Sequence, residues 1–311
     1  MTAQATSRND RRLLVVTLSN IGDVVLTTPV IEALAGLYPH AQIDVLGDAR
    51  SIEILSAAPY VGQLFVRDKR AGWHAQWRLW RALRARRYDA VVDLRTPFIP
   101  YLLRADRRFV KRRRLANEHT VVEHFTAISS LVCGAPPPCR LYLSAADQAA
   151  ATELLSKLPG QRWLAIGPSA KWPGKKWPSA YYRELLTLAA GNFDGAIVLG
   201  SAADAEDCAR VCEVPMPTLQ SAGITSLSVA AALISRAALF VGNDSGLGHM
   251  AAAVSVPSLT LFGPGQPARY RPWGPQAQVM LAPEQDLSRL TPAMVLQALL
   301  QFSAGQIART A

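Results

Sequence analysis

Residues 239–274 read LFVGNDSGLGHMAAAVSVPSLTLFGPGQPARYRPWG, and this stretch decides the fold. Residues 238–241 form a short apolar run of the strand kind, and Gly242-Asn243 is a turn. Asp244-Ser245-Gly246 then opens a helix whose small apolar face is Met250, Ala251, Ala252, Ala253 and Val254. A second strand follows at 258–262, closed by Gly263-Pro264-Gly265. Strand, tight turn, helix N-terminus and strand make half of a nucleotide-binding α/β unit. The first turn of a helix has unpaired N–H groups and a partial positive charge, so it attracts phosphate. Gly246 and Gly248 remove side chains where a ligand would approach closely. Asp244 and Ser245 serve either as caps or as ligand contacts, and His249 lies in the first turn. An ordinary capped core helix is the plainer reading of so short a motif, and the rest of the chain has to tip the balance.

Outward from that corner, short strands and helices alternate along the whole sequence. In the first half, strands are expected at 12–18, 42–46, 63–66 and 88–94. Helices are expected at 24–37, 49–57 and 72–86. Pro29 falls within the first two turns of its helix, where it is tolerated. Trp73, Trp77 and Trp80 lie at i, i+4 and i+7, a stripe expected to face the core. Pro136-Pro137-Pro138 is the sharpest break in composition and puts a linker from there to about residue 145. After it come strands at 163–167 and 196–199, helices at 180–190, 203–212 and 226–235, and an apolar C-terminal helix at 295–302. The expected fold class is α/β: an N-terminal domain over 1–144 and a C-terminal domain over 145–311, both Rossmann-like, facing each other across a cleft. Ligands then sit at the carboxyl ends of the strands.

The 311 residues, half of them apolar, suffice for two cores. No secretory signal is expected, because the first twelve residues are polar and basic. The longest uncharged runs, 214–235 and 245–268, are too broken by Pro, Gly, Ser and Thr to read as membrane spans. Cys133, Cys139, Cys208 and Cys212 show no zinc spacing, and a reducing cytoplasm fits them. The net charge of +10 is lopsided. Residues 1–144 hold 21 Lys/Arg against 12 Asp/Glu, whereas 145–311 hold 12 against 11. Residues 67–114 alone carry 16 basic and 4 acidic side chains. Such a field attracts a polyanion, whether nucleic acid, an anionic membrane surface or a phosphorylated substrate. Lys111-Arg112-Arg113-Arg114 is the densest part, expected to face a ligand or a membrane.

Three constellations carry chemistry. Asp23 follows the first strand at the N-terminus of the first helix, where an α/β protein places function. It is either a helix cap or a carboxylate able to take a proton late in a reaction. Residues 19–23 (SNIGD) lack the three spaced glycines of a dinucleotide fingerprint, which disfavours hydride transfer. Residues 168–177 (PSAKWPGKKW) put Lys171, Lys175 and Lys176 at a strand's carboxyl end, suited to a diphosphate. Asp204 or Glu206 falls where an acid can hold a ribose hydroxyl. His119, Glu123 and His124 have helical spacing but supply no evident metal geometry, so they are candidates for contacting a polar acceptor.

Three motifs resemble the ADP-heptose:lipopolysaccharide heptosyltransferases, glycosyltransferase family nine. They are IGDVVLTTP (21–29) with Ala33-Leu34 and Tyr38-Pro39, KKWP (175–178), and DSGLGH (244–249) followed by Phe262-Gly263-Pro264 and Pro267. The resemblance spans about residues 12–275. It implies a GT-B fold and an inverting, metal-independent glycosyltransferase that needs no cofactor beyond its ADP-sugar donor. Asp23 would be the general base on the acceptor hydroxyl. Lys175, Asp244, Ser245, Gly246, Leu247 and His249 would line the donor site, with Asp204 near the ribose. Arg113 and His119 fall where such enzymes bind the acceptor. The expected partners are ADP-heptose or a related nucleotide sugar and an anionic lipid-linked saccharide. The expected location is the cytoplasmic face of the inner membrane, held peripherally, with no nucleic acid. The rivals are a non-catalytic nucleotide- or polyanion-binding protein of the same fold, a nucleic-acid binder, and a nucleotide-sugar epimerase.

Overall fold

The computed structural model describes residues 11–68, 70–111 and 118–310. The chain divides between Tyr142 and Leu143 into two compact units. In the first, five parallel strands β1 (Arg12–Val16), β2 (Gln42–Asp48), β3 (Val61–Arg67), β4 (Arg87–Asp93) and β5 (Arg104–Val110) stand in the order β3-β2-β1-β4-β5. β1 is central and nearly all buried, as its unbroken apolar run requires. Leu14, Val16, Leu46, Val91 and Ile99 belong to one core cluster, each such side chain contributing about 1.5–3 kcal/mol on burial. β5 is an edge strand made of RADRRFV, and its charges discourage further pairing. The sequence pattern hid this strand, because arginines occupy positions that an interior strand fills with apolar groups.

The helix expected over 24–37 is two helices, α1 (Ile21–Val25) and α2 (Thr28–Leu37). The hydroxyls of Thr27 and Thr28 donate to the carbonyls of Val24 and Val25 at 2.6 and 2.8 Å, closing α1. Pro29, which has no N–H to contribute, falls in the opening positions of α2. Residues 49–57 hold only one 3₁₀ turn, Ile52–Leu55. α3 (Trp73–Arg84) corrects a further expectation. Its core-facing side is Leu79, Trp80 and Leu83, which leaves Trp73 70% and Trp77 52% exposed. The first unit is completed by α4 (Ile99–Leu102) and α5 (Thr120–Phe125).

The second unit has a six-stranded parallel sheet: β6 (Trp163–Gly167), β7 (Gly195–Val198), β8 (Thr218–Gln220), β9 (Leu239–Asn243), β10 (Ser258–Phe262) and β11 (Ala277–Leu281), in the order β11-β10-β9-β6-β7-β8. β6, β7, β9 and β10 are buried along their whole length, with helices supplying the cover. These helices are α6 (Ala145–Leu155), α7 (Ser179–Ala189), α8 (Ala205–Val211), α9 (Leu227–Ser235), α10 (Gly246–Ala253), α11 (Pro267–Tyr270) and α12 (Pro292–Thr310). α6 starts where the linker was expected to end. Ser144 caps it by accepting from the Asp147 amide at 3.0 Å.

Both sheets reverse direction at one point. In the first unit the chain runs β1, β2, β3 outward, then returns to place β4 on the other side of β1. In the second it runs β6, β7, β8 and returns to place β9 beside β6. The crevice beyond the carboxyl ends of such a strand pair is where α/β sheets take ligands.

Candidate active site

In the second unit the switch point is flanked by residues 168–177 after β6 and by Asp244 to His249 after β9. Asn243 joins them. It ends β9 fully buried, accepts from the Trp177 amide and the Tyr182 hydroxyl at 3.0 Å each, and donates to the Pro168 carbonyl at 2.6 Å. Trp177 is itself pinned, its indole N–H donating to the Leu290 carbonyl at 2.8 Å and its ring meeting Tyr182 edge-on at 4.6 Å. The lysine loop is therefore clamped at both ends by buried hydrogen bonds. In the sequence Asn243 reads only as part of a turn, whereas it closes β9. The available signal was a polar residue closing an otherwise apolar buried strand, where an amide must find partners.

Lys175 ends a 3₁₀ turn (Pro173–Lys175), and its ammonium pairs with the Asp244 carboxylate. Lys176 turns towards α8, 3.1 Å from Asp207 and 3.9 Å from Asp204. The positive charge of the loop is thus largely matched by acids. The net attraction for an anion falls to α10, which begins directly after Ser245. Ser245 stands at the cap position, yet its hydroxyl makes no capping bond and is buried without a hydrogen-bond partner among the described residues. Ser245 thus does not act as the helix cap of the plainer reading, and the first-turn amides of α10 go without that bond. Gly265 presses the next loop against the same corner: a Cβ there would come within 3.1 Å of the Asp244 carboxylate and 2.9 Å of Phe262. Leu247 reaches across to Gly167, and His249 is buried in the first turn. Asp204 is engaged in a capping box with Ser201, while Glu206 is exposed and pairs with Arg210.

In the first unit Asp23 is the third residue of α1, half-buried. The Asn20 side-chain Nδ2 donates to its Oδ2 at 2.8 Å, and Oδ1 has no hydrogen bond among the described residues. The loop before it is fixed by Ser51, whose hydroxyl donates to the Ser19 carbonyl at 3.0 Å, and by a Thr17–Thr27 hydroxyl pair at 2.8 Å. Across the switch, the buried Asp93 accepts from the amides of Arg95 and Thr96 and from the Thr96 hydroxyl. His119 caps α5, its Nδ1 accepting from the Val121 amide at 3.2 Å. Glu123 is buried against Lys111 at 2.9 Å, and His124 donates from Nδ1 to the Leu26 carbonyl at 3.3 Å. Burial, then the Lys111 charge, pushes His124 down to about 4, so it is neutral in the fold. Arg113 lies outside the described residues, as do Arg112 and Arg114.

Residues 76–297, more than two thirds of the chain, match the family described as glycosyltransferase family 9 (heptosyltransferase). The chain belongs to glycosyltransferase family 9. Among its relatives, lipopolysaccharide heptosyltransferase 3 of Escherichia coli is 31% identical over 288 residues, which cover 81% of this chain and 83% of that protein. The solved structure of E. coli ADP-heptose lps heptosyltransferase II has a TM-score of 0.81 at 24% identity, covering 95% of this chain and 99% of that one. That of E. coli heptosyltransferase WaaC with ADP has a TM-score of 0.78 at 22% identity, covering 94% and 99%. This family 9 protein is accordingly a glycosyltransferase built from two Rossmann-like units of the GT-B class. Neither the epimerase nor the non-catalytic rival is favoured by these likenesses.

Proposed function

We propose that this protein transfers heptose, or a closely related sugar, from an ADP-sugar to a lipopolysaccharide core acceptor, with inversion and without a metal. The carrying observation is the anion-ready corner of the second unit: an α10 N-terminus with no side-chain cap beside Lys175, held in place by Asn243. Its relatives' names supply the sugar and the acceptor class, and one family structure holds ADP. In this reading the α10 amides and Lys175 bind the donor diphosphate. Asp244, Ser245, Gly246, Leu247 and His249 line the donor, and Asp204 holds the ribose. The acceptor hydroxyl attacks the anomeric carbon, its proton passes to Oδ1 of Asp23, and the bond from that carbon to the phosphate oxygen breaks. ADP departs with the electron pair, stabilised by the fixed amide dipoles. Arg113 and His119 contact the acceptor saccharide. That acceptor is lipid-linked and anionic, so the enzyme works peripherally at the cytoplasmic face of the inner membrane. No helix among the described residues is long and apolar enough to cross a membrane.

A thermal-shift comparison of ADP, UDP and GDP, followed by transfer from the matching sugar nucleotide, tests the reading. ADP at 100 times its Kd should add about 2.7 kcal/mol of stability. Stabilisation by UDP or GDP alone, or no transfer to a heptose-deficient core saccharide, overturns it.

A further inference from the structure

α3 and α4 pack against the same core cluster of the first unit, through Leu79, Trp80 and Leu83 of α3 and Ile99 of α4. Between them is a cavity of about 150 Å³ lined by Leu79, Trp80, Phe98 and Ile99, with Arg67 at its rim. The outer side of this pair is unusual for a protein surface. Phe98 is 71%, Tyr101 65% and Leu102 55% exposed, and on α3 Trp73 and Trp77 also turn outward. An apolar surface of this kind marks a binding face.

Arginines accompany the exposed rings of α3. Residues 67–84 hold six basic side chains and one acid, Asp68. Arg78, Arg81 and Arg84 are exposed, and none of them forms an ion pair among the described residues. Arg81 stacks over the Trp77 ring, 4.6 Å from its centroid, so cation and aromatic present themselves together.

We propose that the α3–α4 face docks on an anionic phospholipid bilayer. Trp73, Trp77, Phe98 and Tyr101 enter the headgroup region, and Arg78, Arg81 and Arg84 meet lipid phosphates. This rests on the reading of the acceptor as lipid-linked. Amphipathic rings settle at a membrane–water boundary, and each arginine near an anionic surface adds to the attraction. A second copy of the chain is the poorer occupant, because a two-fold contact brings the arginines of one copy against those of the other. The face begins where β3 ends, at the carboxyl edge of the sheet that also carries Asp23, so docking keeps a membrane-tethered sugar close to the acceptor unit.

The test is co-sedimentation of the full chain with phosphatidylcholine vesicles and with vesicles of equal parts phosphatidylcholine and phosphatidylglycerol. The wild type should bind only the anionic vesicles. Arg78→Gln with Arg81→Gln should weaken that binding by roughly tenfold or more at low salt. Trp73→Ser with Trp77→Ser should weaken it as well, and should abolish what remains at high salt, where the arginine contribution is screened. Both variants alter exposed residues, so their melting should match the wild type. They should keep wild-type kcat on a deacylated core saccharide and lose activity only on acceptor presented in vesicles. Vesicle binding unchanged in both variants overturns the proposal. So does a wild-type dimer that these substitutions turn into monomer, which would assign the face to self-association. If the wild type binds anionic vesicles through this face but transfers no heptose to either acceptor form, the docking surface stands and the heptosyl reading falls.

Discussion

β1 and β4 in the first unit stand to each other as β6 and β9 do in the second, a central parallel pair where the chain changes direction. The loops beyond them are built differently. Beyond β6 and β9, the buried Asn243 links the start of the lysine loop, its end and Tyr182, and Lys175 is already paired with Asp244. Beyond β1 and β4, Asp23 is held through one oxygen by one neighbour among the described residues, in a unit whose sequence is rich in arginine. The difference suits the proposed function, in which the second unit takes the nucleotide and the first the acceptor. A nucleotide diphosphate is small and invariant, and a pre-organised corner binds it with little ordering cost. A large anionic acceptor suits an open rim of charge, with one carboxylate left able to accept a proton.

The contrast can be broken most forcefully at Asp23. Asp23→Asn should lower kcat by a factor of 10²–10⁴, as loss of a general base does, while ADP affinity stays within about twofold. Calorimetric titration with ADP beside a transfer assay reads both, and a variant with undiminished turnover would leave the first unit without its proposed base. Next in size is Asn243→Ala, which strands the Trp177 amide, the Tyr182 hydroxyl and the Pro168 carbonyl. A cost of about 4 kcal/mol in stability is expected, with a raised KM for donor. Denaturant unfolding measures it, and a cost under about 1 kcal/mol would show the corner is not held this way.

His124 sharpens the comparison from the first unit. Its pKa in the fold, about 4, lies below the ordinary histidine value, so the unfolded chain binds the extra proton between the two. Its burial therefore leaves stability intact above pH 6.5, and stability drains as pH falls towards 4, by on the order of 3 kcal/mol. Urea midpoints across that range should lose this slope in His124→Gln. The smallest effect is expected at Lys175→Gln, because Asp244 already offsets part of its charge. Donor KM should rise by roughly thirtyfold, about 2 kcal/mol. Adding Asp244→Asn should recover part of the loss, since a bare carboxylate beside the phosphates is then removed. No recovery would mean that Asp244 contacts the donor favourably.

Much of the architecture was readable before any coordinates. Unbroken apolar runs such as 163–167 and 238–241 leave a parallel strand buried on both faces as the simplest solution; β6 and β9 lie there, β9 running on through the expected turn at Gly242-Asn243. The readings that failed were those where a local pattern has two solutions. The tryptophan stripe has helical spacing whether it faces in or out; the core took Leu79, Leu83 and, from the stripe, Trp80, while Trp73 and Trp77 turn outward. An arginine-rich segment does not look like a strand until an edge position lets its side chains reach water, as β5 does. At the corner after β9, Lys175 and Asp244 each stand out in the sequence, but their pairing does not, because they lie 69 positions apart.

The sequence by itself determined the two α/β units, the glycine-bearing corner after β9, the acid after β1 and the excess of positive charge in the first half. Each of these follows from periodicity, turn chemistry or composition, which act over a few residues. Tertiary structure alone decided which lysine meets which acid, that Asn243 clamps the lysine loop, and that Trp73 and Trp77 face outward. These depend on contacts between segments far apart in the chain, where burial and the need to satisfy every buried polar group select one arrangement from many that local preference allows.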